Sequence, residues 1–322
     1  MRKAIKNTIT RIVGNLILRP YFKFRTRKPV WLFLNRKARR LFTSHKPIIN
    51  ETQQNIISIL FKDGVAQTHI EELFLDKNKL SELQQYANGL REKNTGAKTS
   101  KTFLTYLLNP NPMLDFENII TKLALDERVL TIVNSYFEMF GKFYYFTLNI
   151  THPITEGVEA MQSQRWHRDP EDIKMLKMFI YLNDVDEEAG PFIYIPKSNL
   201  ENKWNKIFPQ RPPIGYYPPD GELEKIIPQN EIKKYTARAG SIIFGDTAGL
   251  HKGGFATKKE RIMLTIGYAP SSSPLAEQYI YPLDIKKRLA TLTPAQKYAI
   301  ILKPSKLNSF ILKKFRKFFK YG

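Results

Sequence analysis

The chain has 322 residues, 42% of them apolar, and is therefore long enough for one large domain or two small ones. It contains no cysteine, which excludes disulfide bonds, cysteine-ligated zinc or iron–sulfur sites and thiol catalysis. The formal net charge of +21 predicts an anionic partner for part of the chain. No apolar run reaches the roughly 18 residues of a membrane-spanning helix, and no signal peptide is predicted, so a cytoplasmic location is expected.

The positive charge lies at the two ends of the chain. Residues 1–50 hold 14 Lys and Arg, residues 285–322 hold 11, and neither segment contains an acidic residue. Residues 51–284 hold 26 basic and 30 acidic residues, a net charge of −4. This distribution predicts an ordinary globular domain over residues 51–284, with a basic extension at each end.

Both extensions have the periodicity of amphipathic helices. In the C-terminal one, apolar residues recur at helical spacing, at Leu307, Phe310, Ile311, Phe315, Phe318 and Phe319. The N-terminal one repeats this pattern more weakly, at Ile5, Ile9, Ile12, Val13 and Leu16. Such basic helices lie on anionic membranes, so peripheral membrane attachment is predicted. Packing of both helices on the domain is the alternative, and nucleic acid is not a predicted partner, because no base-reading motif accompanies the charge.

The domain divides into a helical part and a β part. Residues 51–140 contain runs of period 3.6, such as "TQQNIISILFKDGV", and are predicted to be mostly helical. Residues 141–270 contain short aromatic and β-branched runs between glycine turns, among them "KFYYFTLNIT", "KMFIYLNDV", "GSIIFGD" and "RIMLTIGYAP". Several short strands of this kind predict a mainly β core, a barrel or jelly roll, with flanking helices.

The stretch "QRWHRDP" carries a histidine and an aspartate two positions apart. On a strand His167 and Asp169 point to the same side, so both could bind one metal ion, although the pair alone is more typical of a polar turn. His251 is the histidine that lies in the second half of the β region. Two histidines and one carboxylate form the facial triad of non-haem Fe(II) oxygenases, which leaves coordination positions open on one side.

Arg261 lies ten residues after His251, at the start of an apolar strand. An arginine that points into an apolar barrel costs free energy unless it binds an anion, and its planar guanidinium suits a carboxylate. A salt bridge within the sheet is the alternative. The sequence therefore predicts an anion-binding group close to the three candidate metal ligands.

These features occur in the order His-x-Asp, "KMFIYLNDVDEEAGPFIYIPKSN", Gly-Asp-x-x-x-x-His and a later arginine. In this order, over roughly residues 55–270, the chain resembles the phytanoyl-CoA dioxygenase-like family of Fe(II)/2-oxoglutarate-dependent oxygenases. The resemblance implies a double-stranded β-helix, a jelly roll related to the cupins, over residues 141–270. It also implies that Fe(II), 2-oxoglutarate and O2 are used to hydroxylate an unactivated C–H bond, with succinate and CO2 as products.

The resemblance also assigns roles to individual residues. It implies that His167, Asp169 and His251 bind iron and that Arg261 pairs with the distal carboxylate of 2-oxoglutarate. Four further residues are predicted to lie near the cosubstrate, namely Asn149, Phe179, Lys177 and Thr247. Thr247 is included because Gly253 stands where some relatives have a serine that bonds the cosubstrate.

The substrate cannot be read from the sequence. A small molecule is one candidate, and a lipid or a lipid-linked glycan is another if the basic ends lie on a membrane. The competing function is a non-catalytic jelly-roll binding protein that is attached to membranes by its basic amphipathic ends. Stoichiometric Fe(II) uptake and decarboxylation of 2-oxoglutarate distinguish the two functions.

Overall fold

The computed structural model describes residues 16, 19–93, 103–154, 159–211, 217–274 and 277–300. The helices are α1 Arg19–Arg25, α2 Lys28–Leu34, α3 Arg36–Ser44, α4 Glu51–Asp63, α5 Ile70–Phe74, α6 Lys79–Lys93, α7 Ile119–Ala124, α8 Glu127–Phe137, α9 Glu222–Ile226, α10 Ile285–Thr291 and α11 Pro294–Ile300. The strands are β1 Val65–His69, β2 Leu104–Tyr106, β3 Gly141–Thr151, β4 Leu176–Tyr181, β5 Phe192–Tyr194, β6 Lys233–Tyr235, β7 Ser241–Asp246, β8 His251–Gly253 and β9 Arg261–Pro270.

The strands form two antiparallel sheets. The larger has six strands in the order β1-β7-β4-β9-β3-β2, and the smaller has three in the order β6-β5-β8. Sheets of this kind with flanking helices make a jelly-roll-like core, as predicted for residues 141–270. β1 and β2 come from residues 51–140, which the periodicity predicted to be mostly helical. Both are short, and neither has the regular alternation that identifies a longer strand.

Strand β4 explains how the layers are arranged. Its side chains alternate between two faces, as in any strand. Leu176, Met178 and Ile180 join the apolar cluster that includes the helices, whereas Phe179 and Tyr181 join a second cluster with Phe192 of β5. The rings of Phe179 and Phe192 lie 4.6 Å apart, so the two sheets face each other. The protein therefore has a helical layer, the six-stranded sheet and the three-stranded sheet in that order.

Local signals in the sequence fix several helix ends. Asn50 and Gln53 form a capping box at the start of α4, and Gly64 ends that helix with a φ of 77°. Asp126 caps α8 through the backbone N–H of Arg128. The Thr293 hydroxyl accepts a hydrogen bond from Gln296 N and so caps the helix α11 that begins at Pro294.

The described part of the N-terminal extension packs on the domain. Trp31, Asn35, Ala38 and Phe42 form a buried stripe at helical spacing along α2 and α3. Arg25 in α1 is 1% exposed and donates to Asp172 Oδ2 at 3.1 Å, while the Trp31 indole N–H donates to Asp172 Oδ1 at 2.8 Å. Both groups of the ion pair are buried, so the docking of these helices depends on it.

The C-terminal extension is described only as far as Ile300. Helix α11 packs against β3 and α8, and Ala299 and Ile300 at its end are fully buried. The amphipathic segment predicted around Leu307–Phe319 lies outside the described residues. Among the helices that are described, none combines the length and the apolar character needed to cross a membrane.

Candidate metal centre and cosubstrate cavity

The structure brings together the three residues predicted to bind metal. One ligand atom each from His167, Asp169 and His251 lies within 4.8 Å of the others. His167 and His251 exchange two backbone hydrogen bonds of 3.0 Å, and Asp169 N donates to Thr247 O at 2.8 Å. The His-x-Asp segment is thus extended and paired with the chain around β8. Side chains two positions apart in such a segment point to the same side, as metal binding by His167 and Asp169 requires.

Backbone carbonyls orient both imidazole rings. Nδ1 of His167 lies 2.8 Å from Arg165 O, and Nδ1 of His251 lies 3.0 Å from Gly249 O. A carbonyl can only accept, so each Nδ1 carries the proton and Nε2 is the nitrogen suited to bind a metal. Burial, with His167 nearby, lowers the pKa of His251 to about 3, which keeps that ring neutral. A neutral imidazole is the form that binds metal ions.

Lys177 forms an ion pair with the candidate ligand Asp169. The distance from Lys177 Nζ to Asp169 Oδ2 is 2.6 Å, and both side chains are largely buried. Burial opposes ionisation of Asp169, but Lys177 and the two histidines outweigh it and hold the pKa of Asp169 well below its usual range. The carboxyl group is therefore a carboxylate, as a metal ligand must be. The predicted contact of Lys177 with an anionic group is made within the protein itself.

Arg261 is the first residue of β9, and its side chain is buried, with 5% exposed. Its guanidinium donates to Gly190 O and, at 3.2 Å, to Thr151 Oγ1, while Nε has no partner among the described residues. These partners are neutral, so the salt bridge considered as an alternative is not what holds the side chain here. Burial lowers the pKa of Arg261, which is the cost of a buried cation that an anion would offset. Gly253 adjoins the guanidinium, since a Cβ there would lie 3.7 Å from Nη2.

The other predicted cosubstrate residues divide into two groups. Asn149, Phe179 and Lys177 line the same cavity as the three candidate ligands and Arg261. Asn149 Nδ2 donates to Thr147 Oγ1 at 3.2 Å, and its buried Oδ1 has no partner among the described residues. Thr247 is fully buried and is not among the described residues that line the cavity, so its role toward the cosubstrate stays a prediction. In the structure, the backbone carbonyl of Thr247 accepts a hydrogen bond from Asp169 N.

Two residues in or directly after the stretch "QRWHRDP" were not predicted from the sequence. Arg168 points away from the metal ligands and donates to five carbonyls, those of Phe208, Ser198, Ala248, Trp204 and Ile207. Glu171 lines the cavity two residues after Asp169, and burial, reinforced by Asp169, raises the pKa of Glu171 to about 8. The alternation that placed His167 and Asp169 also marks position 171, which is the signal that could have found it.

The cavity that contains these residues has a volume of about 1100 Å³. One part of its wall carries the three candidate ligands and Arg261. The rest is formed by α6, the segment 103–118 and the start of β3, with Tyr106, Tyr144 and Tyr145 among the lining residues. Pockets for drug-sized ligands measure about 300–1000 Å³, so this cavity could hold a cosubstrate and a second organic molecule.

Comparisons with known proteins reveal the fold but no close relative. A scan against protein-family models and a search of the curated proteins gave no match. Among solved structures, the epimerase SnoN in complex with Fe3+, alpha ketoglutarate and nogalamycin RO has a TM-score of 0.53 at 14% identity, over 70% of this chain and 87% of SnoN. EctD from S. alaskensis with bound Fe has a TM-score of 0.50 at 17% identity, over 74% of this chain and 85% of EctD.

A third structure, the non-heme alpha ketoglutarate dependent carbocyclase SnoK from nogalamycin biosynthesis, has a TM-score of 0.50 at 16% identity. The match covers 75% of this chain and 91% of SnoK. SnoN is an epimerase and SnoK is a carbocyclase, so the likeness supports a shared fold and does not identify one reaction. The chain thus has the fold of non-haem iron enzymes that use 2-oxoglutarate, and it has a His-Asp-His cluster in which a metal ion could bind.

Proposed function

We propose that the chain is an Fe(II)- and 2-oxoglutarate-dependent dioxygenase that hydroxylates an unactivated C–H bond of an organic substrate. The observation that carries the proposal is the placement of His167, Asp169, His251 and buried Arg261 in one cavity. We assign the chain to the phytanoyl-CoA dioxygenase-like family on its motifs, and we infer that its two sheets close into a double-stranded β-helix.

The residues present fit an Fe(II) ion and its cosubstrate. Two imidazoles and one carboxylate from one side of the cavity are the donor set of 2-oxoglutarate oxygenases. The Nε–H of Arg261, which has no partner among the described residues, is a buried donor that a carboxylate of a bound cosubstrate would satisfy. With Fe(II), 2-oxoglutarate and O2 bound, the site would have the oxidising chemistry needed to insert oxygen into a C–H bond.

The protein contributes geometry, charge and a dry surface to this reaction. The carbonyls of Arg165 and Gly249 would keep both Nε2 atoms aimed at the ion. Lys177 would hold one oxygen of Asp169, which leaves the other for the ion. Arg261 would fix the far carboxylate of 2-oxoglutarate and so set its direction in the cavity. The rings of Phe179 and Phe192, which are in contact, would exclude water from the side of the larger sheet.

The test is iron-dependent conversion of 2-oxoglutarate to succinate without added substrate. We expect stoichiometric Fe(II) or Ni(II) binding and slow succinate formation by the wild type, both abolished in His167→Ala. His45→Ala is the matched control, since His45 is exposed on the N-terminal side and should leave both unchanged. Arg261→Met should weaken 2-oxoglutarate binding at least tenfold while metal binding persists. A wild type that binds no metal would refute the proposal and leave the non-catalytic binding protein as the function.

A second, compatible function is attachment to an anionic membrane through the N-terminal helices. Phe24 and Phe33 are 57% and 61% exposed, and Leu34 is 43% exposed. Exposed cations surround them, namely Arg19, Lys23, Arg27, Lys28, Arg36, Lys37 and Arg40. We infer that this face inserts its aromatic rings at a lipid surface while its cations contact anionic headgroups.

Vesicles of anionic and zwitterionic lipid test this second function. We expect the full chain to sediment with anionic vesicles, less so at high salt, and the triple variant R36E/K37E/R40E to lose most of that binding. The matched control K225E/K234E/K258E changes the same charge at exposed lysines elsewhere and should bind like the wild type. Equal loss in both variants would mean that net charge alone matters, and binding to RNA with no binding to vesicles would point to a different partner.

A further inference from the structure

The cavity extends well beyond the part that a metal ion and 2-oxoglutarate would fill. Its far wall includes Tyr86 and Leu90 of α6 and residues of the 103–118 segment. Tyr144 and Tyr145 line the same cavity, with their rings 4.7 Å apart. This aromatic compartment next to the triad is where an organic substrate would have to lie for its C–H bond to be reached.

Lys177, which lines this compartment, has a glycine on each neighbouring strand. Lys177 of β4 is paired with Gly245 of β7 on one side and with Gly267 of β9 on the other. A Cβ at Gly267 would lie 2.0 Å from a ring carbon of Tyr145, so this glycine is what allows the ring to lie flat on the sheet. Lys177 and Glu171 are charged or titratable residues that line the cavity together with the three candidate ligands.

The carboxyl group of Glu171 can form a hydrogen bond that no described residue supplies. Its Oε2 atom is buried and has no partner among the described residues. Lys177 is a cation that acts on the Glu171 carboxyl, but its ammonium group already pairs with Asp169 at 2.6 Å. A buried carboxyl oxygen without a donor costs free energy, and such an atom in a cavity wall calls for a partner that the protein alone does not supply.

We propose that Glu171 binds a hydroxyl or ammonium group of the organic substrate and so selects substrates that carry a hydrogen-bond donor beside the oxidised carbon. This inference rests on the proposed oxygenase function. It names the substrate class as polar and donor-bearing, such as a polyol, a glycoside or an amine. A substrate that offered a carboxylate at this point would bring no hydrogen-bond donor to the Glu171 oxygen and would face the charge of Asp169, so it would bind more weakly.

The first test needs no ligand at all. A carboxyl kept for a substrate destabilises the free protein, so Glu171→Gln and Glu171→Leu should raise the Tm of the protein without added metal. Glu82→Gln, an exposed glutamate on α6, is the matched control and should leave the Tm unchanged. A fall in Tm in both Glu171 variants would show that Glu171 serves the structure, and it would overturn the proposal.

The second test uses three probes that share one ring and differ in one group. Cyclohexylamine, cyclohexanol and cyclohexanecarboxylate are titrated into the full chain with Ni(II) and 2-oxoglutarate present, and the dissociation constants are taken from the shift in Tm. We expect the amine and the alcohol to bind and the carboxylate to bind at least tenfold more weakly. Glu171→Leu should lose about tenfold for the amine and the alcohol, while Glu171→Gln, which keeps an acceptor, should lose more for the amine than for the alcohol.

The outcomes separate this inference from the oxygenase function. If the wild type binds neither Ni(II) nor 2-oxoglutarate, the oxygenase function fails, and the Tm comparison without metal still decides the role of Glu171. If metal and cosubstrate bind but the amine and the alcohol bind no better than the carboxylate, the role of Glu171 is overturned and the oxygenase function stands. Equal binding of the probes by the wild type and Glu171→Leu would overturn it too.

Discussion

The buried ion pair that links the N-terminal helices to the domain leads to a quantitative prediction about the free energy of unfolding. Arg25 and Asp172 form a salt bridge of 3.1 Å, and their side chains are 1% and 0% exposed. Removal of one partner leaves the other charge buried and unpaired, which costs about 3–5 kcal/mol. Arg25→Met should therefore lower the free energy of unfolding by about 4 kcal/mol and the Tm by roughly 10 °C, as measured by urea and thermal denaturation.

A double variant and a surface control sharpen this test. Asp172→Asn removes the charge but keeps an acceptor for the Trp31 indole and for Ile173 N, so R25M/D172N should recover most of the loss of R25M. Lys28 and Glu201 also join the N-terminal helices to the domain, but their side chains are 59% and 60% exposed. Lys28→Met should cost less than about 1 kcal/mol. The reasoning fails if R25M costs no more than K28M, or if the double variant is less stable than R25M.

Three further predictions concern single residues. Gly267→Ala should destabilise the protein by about 1–3 kcal/mol, because its Cβ would displace Tyr145, and a Tyr145→Ala background should remove most of that cost in a double-mutant cycle. Burial lowers the pKa of Lys142 to about 8, so the unfolded chain holds an extra proton from about pH 8 to 10, and the stability of the wild type relative to Lys142→Met should rise over that range in urea titrations. Arg168→Lys should expose residues 198–208 to proteolysis and weaken Ni(II) binding, since an ammonium cannot serve five carbonyls, whereas unchanged cleavage would contradict the clamp.

Strands β3, β4, β7 and β9 and the three candidate metal ligands could be predicted because each has a local or short-period signal. The run "RIMLTIGYAP" coincides with β9, and the alternation of "KMFIYL" places Phe179 and Lys177 on the cavity side of β4. The pairing of His167 with His251 followed from chemistry, since few other groups in the β region could complete a set of metal ligands. For these strands the alternation of apolar residues was long enough to predict both the strand and its buried face.

The contacts that could not be predicted join residues far apart in the chain. The pair of Arg25 with Asp172 spans 147 positions, and nothing in the period of either segment identifies the partner. The Lys177–Asp169 pair was missed for a related reason, because a cation in a cavity was expected to bind an external anion. The run "FENIITKLALDERVLTIVNSYFEMFG" reads as one long helix but is two, since Asp126 caps a second start within it.

The five-carbonyl clamp of Arg168 has a consequence for how this protein could change its specificity if it has the proposed oxygenase function. Its side chain occupies the reverse face of the segment that carries His167 and Asp169, and it gathers the carbonyls of residues 198–208. Insertions or deletions in that loop would displace the two candidate ligands through a single guanidinium. Under the proposed function, a change of substrate through this loop is therefore coupled to metal binding, and variants with altered loops should be screened for metal content before their activity is judged.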